Sequence, residues 1–361
     1  MQRDFHFYVI GMLANHAGYS DEEAIVIATA SQYVDHATES FPIEFDDGRI
    51  VETTMTAHYH VQAFKPSVQR KVFMCFHFPP EGRTSVDGKP AFSYRTRENA
   101  PIINGLLKQI MADNHEGTYE GLMGTNGIPF CMYRLGIAMH TLADSWSHRS
   151  FTGRHNREND VGKIWFKKGK KFEPQTINDW KWDIAPAIGH LECGHYPDQP
   201  FRIMKYGLYD LRDKKFKIRT RTNPIKFKNA AKACLKWLNQ FKGNGGHKST
   251  AWDETQPAMT CVNMLIKMKN EEAKDRIGRL KNNKLFDRHY RKLFNEKNDY
   301  NQNRWRKDAI IPKEPKDPWG ETKRRELLRA QPKPGFEKSS FRLFHKAAKL
   351  QRAYVLDQLF W

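Results

Sequence analysis

The segment Arg134-Leu-Gly-Ile-Ala-Met-His140-Thr-Leu-Ala-Asp144-Ser-Trp-Ser-His148-Arg149 carries the densest chemistry in the chain. His140, Asp144 and His148 stand at i, i+4 and i+8, so a helix projects all three from one face. At ~1.5 Å rise per residue the two imidazoles lie about 12 Å apart along the backbone. That spacing argues against one ion taking all three. Asp144, between them, can bridge two ions with one His on each. Zn²⁺ accepts imidazole and carboxylate together, and three protein ligands plus an open position make a catalytic rather than structural ion. The competing reading is a purely hydrogen-bonded polar cluster. The rest of this helix is apolar, however, and uncompensated polar burial costs roughly 2–7 kcal/mol per group. Coordination supplies the compensation directly.

Other candidate ligands are scattered along the chain. Asp4 and His6 lie near its start, and Asp35 ends Ser31-Gln-Tyr-Val-Asp35. His58 and His60 flank Tyr59, and an extended strand would place both on one side. His190 and His195 share a loop with Glu192 and Asp198. As a set these groups suffice for two or three ions. Ligating His residues need partners for their other ring nitrogen, which Asp4 or Glu192 can provide. Arg149 is a candidate phosphate contact or simply a helix C-terminal charge. Asp35 and Asp144 are the carboxylates expected to act in catalysis, Asp35 by orienting or deprotonating a water.

Several elements must position these residues. Asp4 to Ala17 has near-helical apolar spacing and ends at Gly18. Ser20 with Glu23 is a capping box opening a helix to about Asp35. Residues 40–100 hold short β-favouring pieces, Val51 to Met55 and Val72 to Phe78, with turns at Asp46-Asp47-Gly48 and Asp87-Gly88. An amphipathic helix follows Pro101, and the most apolar helix runs from Pro129 to about His148. Residues 150–200 read as an irregular loop, and Tyr206 to Thr222 as a strand or hairpin. Helical patterns return at 224–242, 257–281 and 339–360, and 295–338 reads as a long wrapping loop. The expected architecture is mainly α: one helical domain around a polynuclear metal site over 1–290, with short strands or hairpins. A basic wrapping loop (291–338) and a docking C-terminal helix (339–361) form its extension.

Composition narrows the function. The 361 residues carry 60 Lys plus Arg and 41 Asp plus Glu, a formal charge of +19. Residues 1–160 are net −5 and residues 161–361 net +24. The second half therefore suits a polyanion or an anionic membrane surface. No stretch approaches the ~18 apolar residues of a membrane span. The apolar run Phe5 to Leu13 lacks a cleavage-site pattern. Five scattered Cys with no CxxC pair give neither a disulfide framework nor a thiolate zinc site. The expectation is synthesis in the cytoplasm, with any export through a specialised secretion machine. No GxSxG elbow, P-loop or GxGxxG run supports a serine hydrolase or a nucleotide-binding protein.

The Asp4-Phe-His6-Phe-Tyr-Val-Ile opening, Ser31-Gln-Tyr-Val-Asp35, the His140–Gly153 helix and the Gly189-His190…Pro197-Asp198 loop together resemble an uncharacterised bacterial family. That family is similar in turn to the zinc-dependent phospholipase C and fungal-type zinc nuclease superfamily. The resemblance implies an all-helical fold holding two or three zinc ions. It implies one site from Asp35, His58 or His60, His140 and Asp144, a second from His148, His190 and Asp198, and a third group near the N-terminus matched by His6. The implied reaction is attack of a metal-activated water on a phosphodiester, a phospholipid or a nucleic acid. A non-catalytic protein with structural ions, such as a secreted effector, is the alternative from a different class.

Overall fold

A computed structural model describes residues 1–58, 61–86, 88–175, 187–243, 251–313 and 328–359. The chain opens with a π-helical segment, Asp4–Val9, that runs into α1 (Ile10–His16). Helix α2 (Asp21–Tyr33) begins at the capping box, with the Ser20 hydroxyl accepting from the Glu23 amide and Glu23 accepting from the Ser20 amide. Two short strands follow, β1 (Ile43–Phe45) and β2 (Ile50–Val51). Next come the single turn α3 (Pro66–Val68) and a second π-helical segment, Gln69–His77. The hairpin β3 (Pro80–Val86) and β4 (Lys89–Thr96) precedes α4 (Pro101–His115) and α5 (Phe130–Ser147). Strands β5 (Val161–Lys168), β6 (Lys171–Pro174), β7 (Ile203–Asp210) and β8 (Lys215–Thr222) lead into α6 (Asn223–Gly243). The remainder is α7 (Pro257–Lys267), α8 (Ala273–Lys281), α9 (Lys284–Tyr290), α10 (Arg304–Ala309), β9 (Ile310–Pro312), β10 (Leu328–Pro332) and α11 (Ser340–Asp357).

Helix α5 is the axis of the molecule. All its residues except Cys131 and Trp146 are buried, because α2, α4, α6 and α11 pack around it. The closest approach is to α2. A Cβ placed on Gly136 would lie 2.4 Å from the Ile27 carbonyl oxygen and 2.7 Å from the Ala30 Cβ. Glycine at 136 therefore sets the distance between the helix that bears His140 and Asp144 and the helix that leads to Asp35.

The expectation of a mainly α protein is corrected here. Half of the structure is helical and 18% is strand, arranged among the described residues in three sheets, so the fold is mixed α and β. One sheet has the order β2-β1-β10-β9, with β1 and β10 parallel through Ile43↔Leu328 and Phe45↔Ala330. The second is the β3–β4 hairpin. The third, β6-β5-β7-β8, is antiparallel throughout. Its buried side chains, Ile164, Phe166, Met204, Tyr206 and Leu208, build a second core with Phe78, Phe151 and Cys193.

The differences have identifiable causes. Residues 161–168, within the expected loop, carry a period-two signal: Ile164 and Phe166 are buried, and Lys163 and Lys167 are exposed. The signal is short and interrupted by Gly162. Conversely, Val72 to Phe78 has strand propensity but is mostly helical, because it packs against α5 and α11; tertiary contact overrides propensity. Strand β10 pairs with β1 across 285 residues of sequence, a partnership invisible to local patterning.

Gly136→Ala is expected to destabilise by about 1–3 kcal/mol, since the nearest obstacle is backbone and cannot rotate away. An unchanged or higher urea midpoint would refute this account of the α2–α5 contact. His345 on α11 is buried, and burial pushes its imidazole down to about 3, with Nδ1 accepting from the Thr54 amide at 2.9 Å. The unfolded chain binds this proton near pH 6.5, whereas the fold refuses it until about 3. Stability should thus fall as pH drops below about 6.5, with this group contributing up to about 1.4 kcal/mol per pH unit. His345→Gln should flatten the stability–pH slope between pH 6 and 4 relative to the parent.

Candidate functional site

The site forms where the two π-helical segments meet the C-terminal half of α5. Each of those wide turns carries one inward imidazole, His6 in the first and His77 in the second. Such windings displace a side chain from the regular helical spacing and recur at functional sites. The first is anchored from behind: Asp4 accepts from Arg276 Nε at 2.6 Å, and Arg276, itself fully buried, also donates to Gln2 and to the Asn270 and Glu271 carbonyls. Asp4 therefore fixes the N-terminal segment and is not a partner of a site imidazole.

Asp144 is the hub. Its Oδ2 lies 3.1 Å from His140 Nε2, 3.3 Å from His77 Nδ1 and 3.6 Å from His148 Nδ1. Its Oδ1 lies 3.1 Å from His6 Nε2 and against the Met1 amine. Asp35 Oδ1 stands 3.7 Å from His140 Nε2 and 3.9 Å from His77 Nδ1. A second carboxylate, Asp198, has Oδ1 3.3 Å from His148 Nε2 and 3.2 Å from the Met1 amine, and Oδ2 3.2 Å from His190 Nε2. Three groups follow from these contacts: His6, His140 and Asp144; Asp35, His77 and His140; and His148, His190 and Asp198. In each, the ligand atoms lie within 4.8 Å of one another.

Proton accounting shows what the groups are built for. A backbone carbonyl only accepts, so an imidazole nitrogen facing one must be N–H. His140 Nδ1 faces the Ser31 carbonyl at 2.8 Å, His77 Nε2 the Thr56 carbonyl at 2.8 Å, His148 Nδ1 the His77 carbonyl at 2.7 Å, and His190 Nδ1 the Gly194 carbonyl at 2.8 Å. In the neutral rings the remaining nitrogens are lone-pair acceptors, and each points at a carboxylate oxygen. His140 Nε2 and His77 Nδ1 also face one another at 3.2 Å. Acceptors aimed at acceptors in a buried site need either extra protons or cations between them. Extra protons are disfavoured at part of the site. Burial pushes His6 down to about 4, helped by His140, and burial also lowers His148. His77 is the exception, raised because Asp144 and Asp35 outweigh its burial. The carboxylates stay ionised: burial of Asp144 is outweighed by His148, the Met1 amine and His140, and burial of Asp198 by the Met1 amine and His190. The Met1 amine, despite its own burial, is raised to about 10 by Asp144 and Asp198. His6 Nδ1 is buried with no hydrogen-bond partner. These buried His/Asp clusters can bind metal ions. The held tautomers are those that ligating imidazoles require.

The site opens into a cavity of about 700 Å³. Asp35, His58, His77, His148, His190, His195 and Asp198 line it together with Arg3, and Phe64, Phe73, Phe78, Ile188 and Leu191 form an apolar flank. A larger cleft of about 1040 Å³, between α2 and the N-terminus of α11, has no imidazole in its lining.

The structure thus brings together His6, Asp35, His140, Asp144, His148, His190 and Asp198. His58 lines the cavity but stands outside the three groups, and His60 lies outside the described residues. His77 takes the place expected for one of them. It was missed because Val72–Phe78 reads as a strand; the signal that could have found it is a His closing an apolar run. The Met1 amine was also not anticipated. Two expected supporting residues, Glu192 and Arg149, stand elsewhere. Glu192 accepts from the Val161 amide at 2.5 Å, tying its loop to β5. Arg149 pairs with Glu98 at 3.1 Å on the surface. His195 is an exposed member of the cavity wall.

The chain belongs to a family of unknown function (DUF6765), whose sequence profile matches residues 1–359. No curated protein and no solved structure gives a significant match.

Purified with divalent metal present, the protein should carry at least two ions per chain by elemental analysis. Asp144→Asn, which neutralises the carboxylate facing His6, His77 and His140, should lose more metal than His190→Ala, which removes one ligand. Chelation should lower the thermal midpoint, because ion at 100 times its Kd stabilises the fold by about 2.7 kcal/mol. Metal-free protein with a midpoint indifferent to chelator would contradict the assignment.

Proposed function

We propose that the chain is a zinc-dependent phosphoester hydrolase, with phospholipid head groups as its leading substrate class. The observation that carries this reading is the set of bare imidazole nitrogens and ionised carboxylates converging on Asp144 and Asp198 at the floor of an open cavity. The donor set, all imidazole nitrogen and carboxylate oxygen with no thiolate, suits zinc, although other divalent ions of similar preference fit as well. The resemblance of His140-xxx-Asp144, His6, Asp35 and the His190–Asp198 loop to the zinc phospholipase C and nuclease superfamily points the same way.

Two or three such ions would supply a water activated at neutral pH and positive charge for the phosphoryl oxygens. The protein's own residues do the rest. His140, His77, His148 and His190 are locked in orientation by four backbone carbonyls, so binding costs no reorganisation of the rings. Asp35, at the cavity wall, is held ionised because His140, His6 and His77 outweigh its burial. It is placed to orient the attacking water or take its proton. Arg3 lines the same wall and offers a cation to the substrate phosphate. The aromatic and aliphatic flank, Phe64, Phe73, Phe78 and Leu191, excludes water from one side and accepts an apolar substituent.

A nuclease using the same chemistry is the second reading, favoured by the charge of +24 over residues 161–361. Hydrolysis of phosphatidylcholine and of single-stranded DNA, each with and without chelator, separates the two. Asp35→Asn is expected to lower turnover about 10²–10⁴-fold, by more than the metal lost from the same sample accounts for. Nuclease activity would fall steeply with salt as counterions are released. A metal-loaded protein that turns over neither substrate would overturn the hydrolase reading in favour of a structural metal centre.

A further inference from the structure

The third sheet, β6-β5-β7-β8, has a second face that the proposed metal centre does not use. Directly opposed residues of antiparallel strands share a side. The pairings Phe216↔Tyr209, Ile218↔Gly207, Thr220↔Lys205, Lys205↔Trp165 and Lys167↔Phe172 therefore gather these side chains on one surface. That surface is opposite the one on which Met204, Tyr206 and Leu208 pack against Phe78 and Phe151.

On a solvent-facing sheet surface, apolar residues are normally sparse. Here Phe216 is 49% exposed and Ile218 57%, while Leu211, in the turn joining β7 to β8, is 47% exposed. Ile225, just beyond β8, is 58% exposed. Of the ten large hydrophobic residues exposed among the described residues, four fall within 211–225. Phe216 sits over two glycines: a Cβ on Gly162 would come 3.3 Å from its ring, and one on Gly207 3.4 Å from its Cβ. On this side stand Lys163, Lys167 and Lys205, with Lys170 in the β5–β6 turn and Arg212 and Lys214 in the β7–β8 turn.

We propose that this face docks on an anionic lipid surface, with Leu211, Phe216 and Ile218 entering the interface and Lys163, Lys167, Lys205 and, from the turn, Lys214 meeting the lipid phosphates. Charge complementarity selects a polyanion, and side-chain type selects among polyanions. Of the four strongly exposed apolar residues only Phe216 has a ring to stack on a nucleic-acid base; leucine and isoleucine gain only from leaving water for the acyl boundary. A protein partner fits less well, because lysine is depleted where protein surfaces bury each other. Among the described residues no helix is long and apolar enough to cross a membrane, so the contact is peripheral. It stands apart from the hydrolase reading, since the sheet separates this face from the metal ligands.

The test is sedimentation of the full chain with phosphatidylcholine vesicles containing or lacking phosphatidylserine. Wild type should bind the anionic vesicles, less so as salt rises. Lys167→Ala and Lys205→Ala should each weaken binding about fivefold. Phe216→Ser with Ile218→Ser, and separately Leu211→Ser in the turn, should weaken it at least about tenfold without changing net charge. Unaltered thermal midpoints show that each variant is folded. His140→Ala, which strikes only the metal centre, should bind vesicles as wild type does, so loss of hydrolysis and loss of docking remain distinguishable. Equal binding to neutral vesicles, wild-type binding by the serine variants, or retention of single-stranded DNA without retention of vesicles would each overturn the proposal.

Discussion

A carboxylate buried among imidazoles governs this molecule. Asp144 sits within 3.1–3.6 Å of ring nitrogens from His6, His77, His140 and His148. A lone anion in such a place would be intolerable, and the rings of His77 and His140, which present lone pairs to it, do not help. The backbone decides which nitrogens those are. By accepting a hydrogen bond from the far-side N–H of His77, His140, His148 and His190, four carbonyls commit the near sides to bind something positive. The Met1 amine meets part of that demand between Asp144 and Asp198. Metal ions would meet the rest.

Holding this arrangement requires elements from distant parts of the chain. Helix α5 supplies two ligands and, at its C-terminus, a third, and its all-round burial is what keeps them fixed. The glycine at 136 lets α2 approach until the Ser31 carbonyl reaches His140. Arg276, fully buried, clamps the first π-helical segment through Asp4, so the strength of that ion pair is spent on the position of His6. The third sheet plays the same part from the other side. Its inner face packs on Phe78, which stacks on the His148 ring at 4.4 Å.

The two faces of that sheet separate two environments. One contributes a dry wall to a site dominated by acids and imidazoles. The other gathers lysine with exposed leucine, phenylalanine and isoleucine. The uneven charge along the chain, acidic first and basic later, is thus also a division in space: the carboxylates of residues 35 and 144 line the cavity, and the basic excess of residues 161–175 and 201–222 lies largely on strands outside it.

Much of the site was legible without coordinates. The i, i+4, i+8 spacing of His140, Asp144 and His148 implies one helical face because the α-helix repeats every 3.6 residues, and the capping box at Ser20 marks where α2 begins. Both are local facts. His77 was not legible, since its segment has strand-like composition and becomes helical only by packing against α5 and α11. Neither was the parallel pairing of β1 with β10, nor the second core beneath β5 and β7, so the β content was underestimated. The residue types of the candidate metal centre, except His77, and the helix that carries three of its eight side chains were thus determined by the sequence alone, through short-range periodicity and side-chain chemistry. Which imidazoles meet, which nitrogen of each is left bare, and which face of a sheet stays exposed were decided by tertiary structure, because each depends on partners that only folding brings within hydrogen-bonding distance.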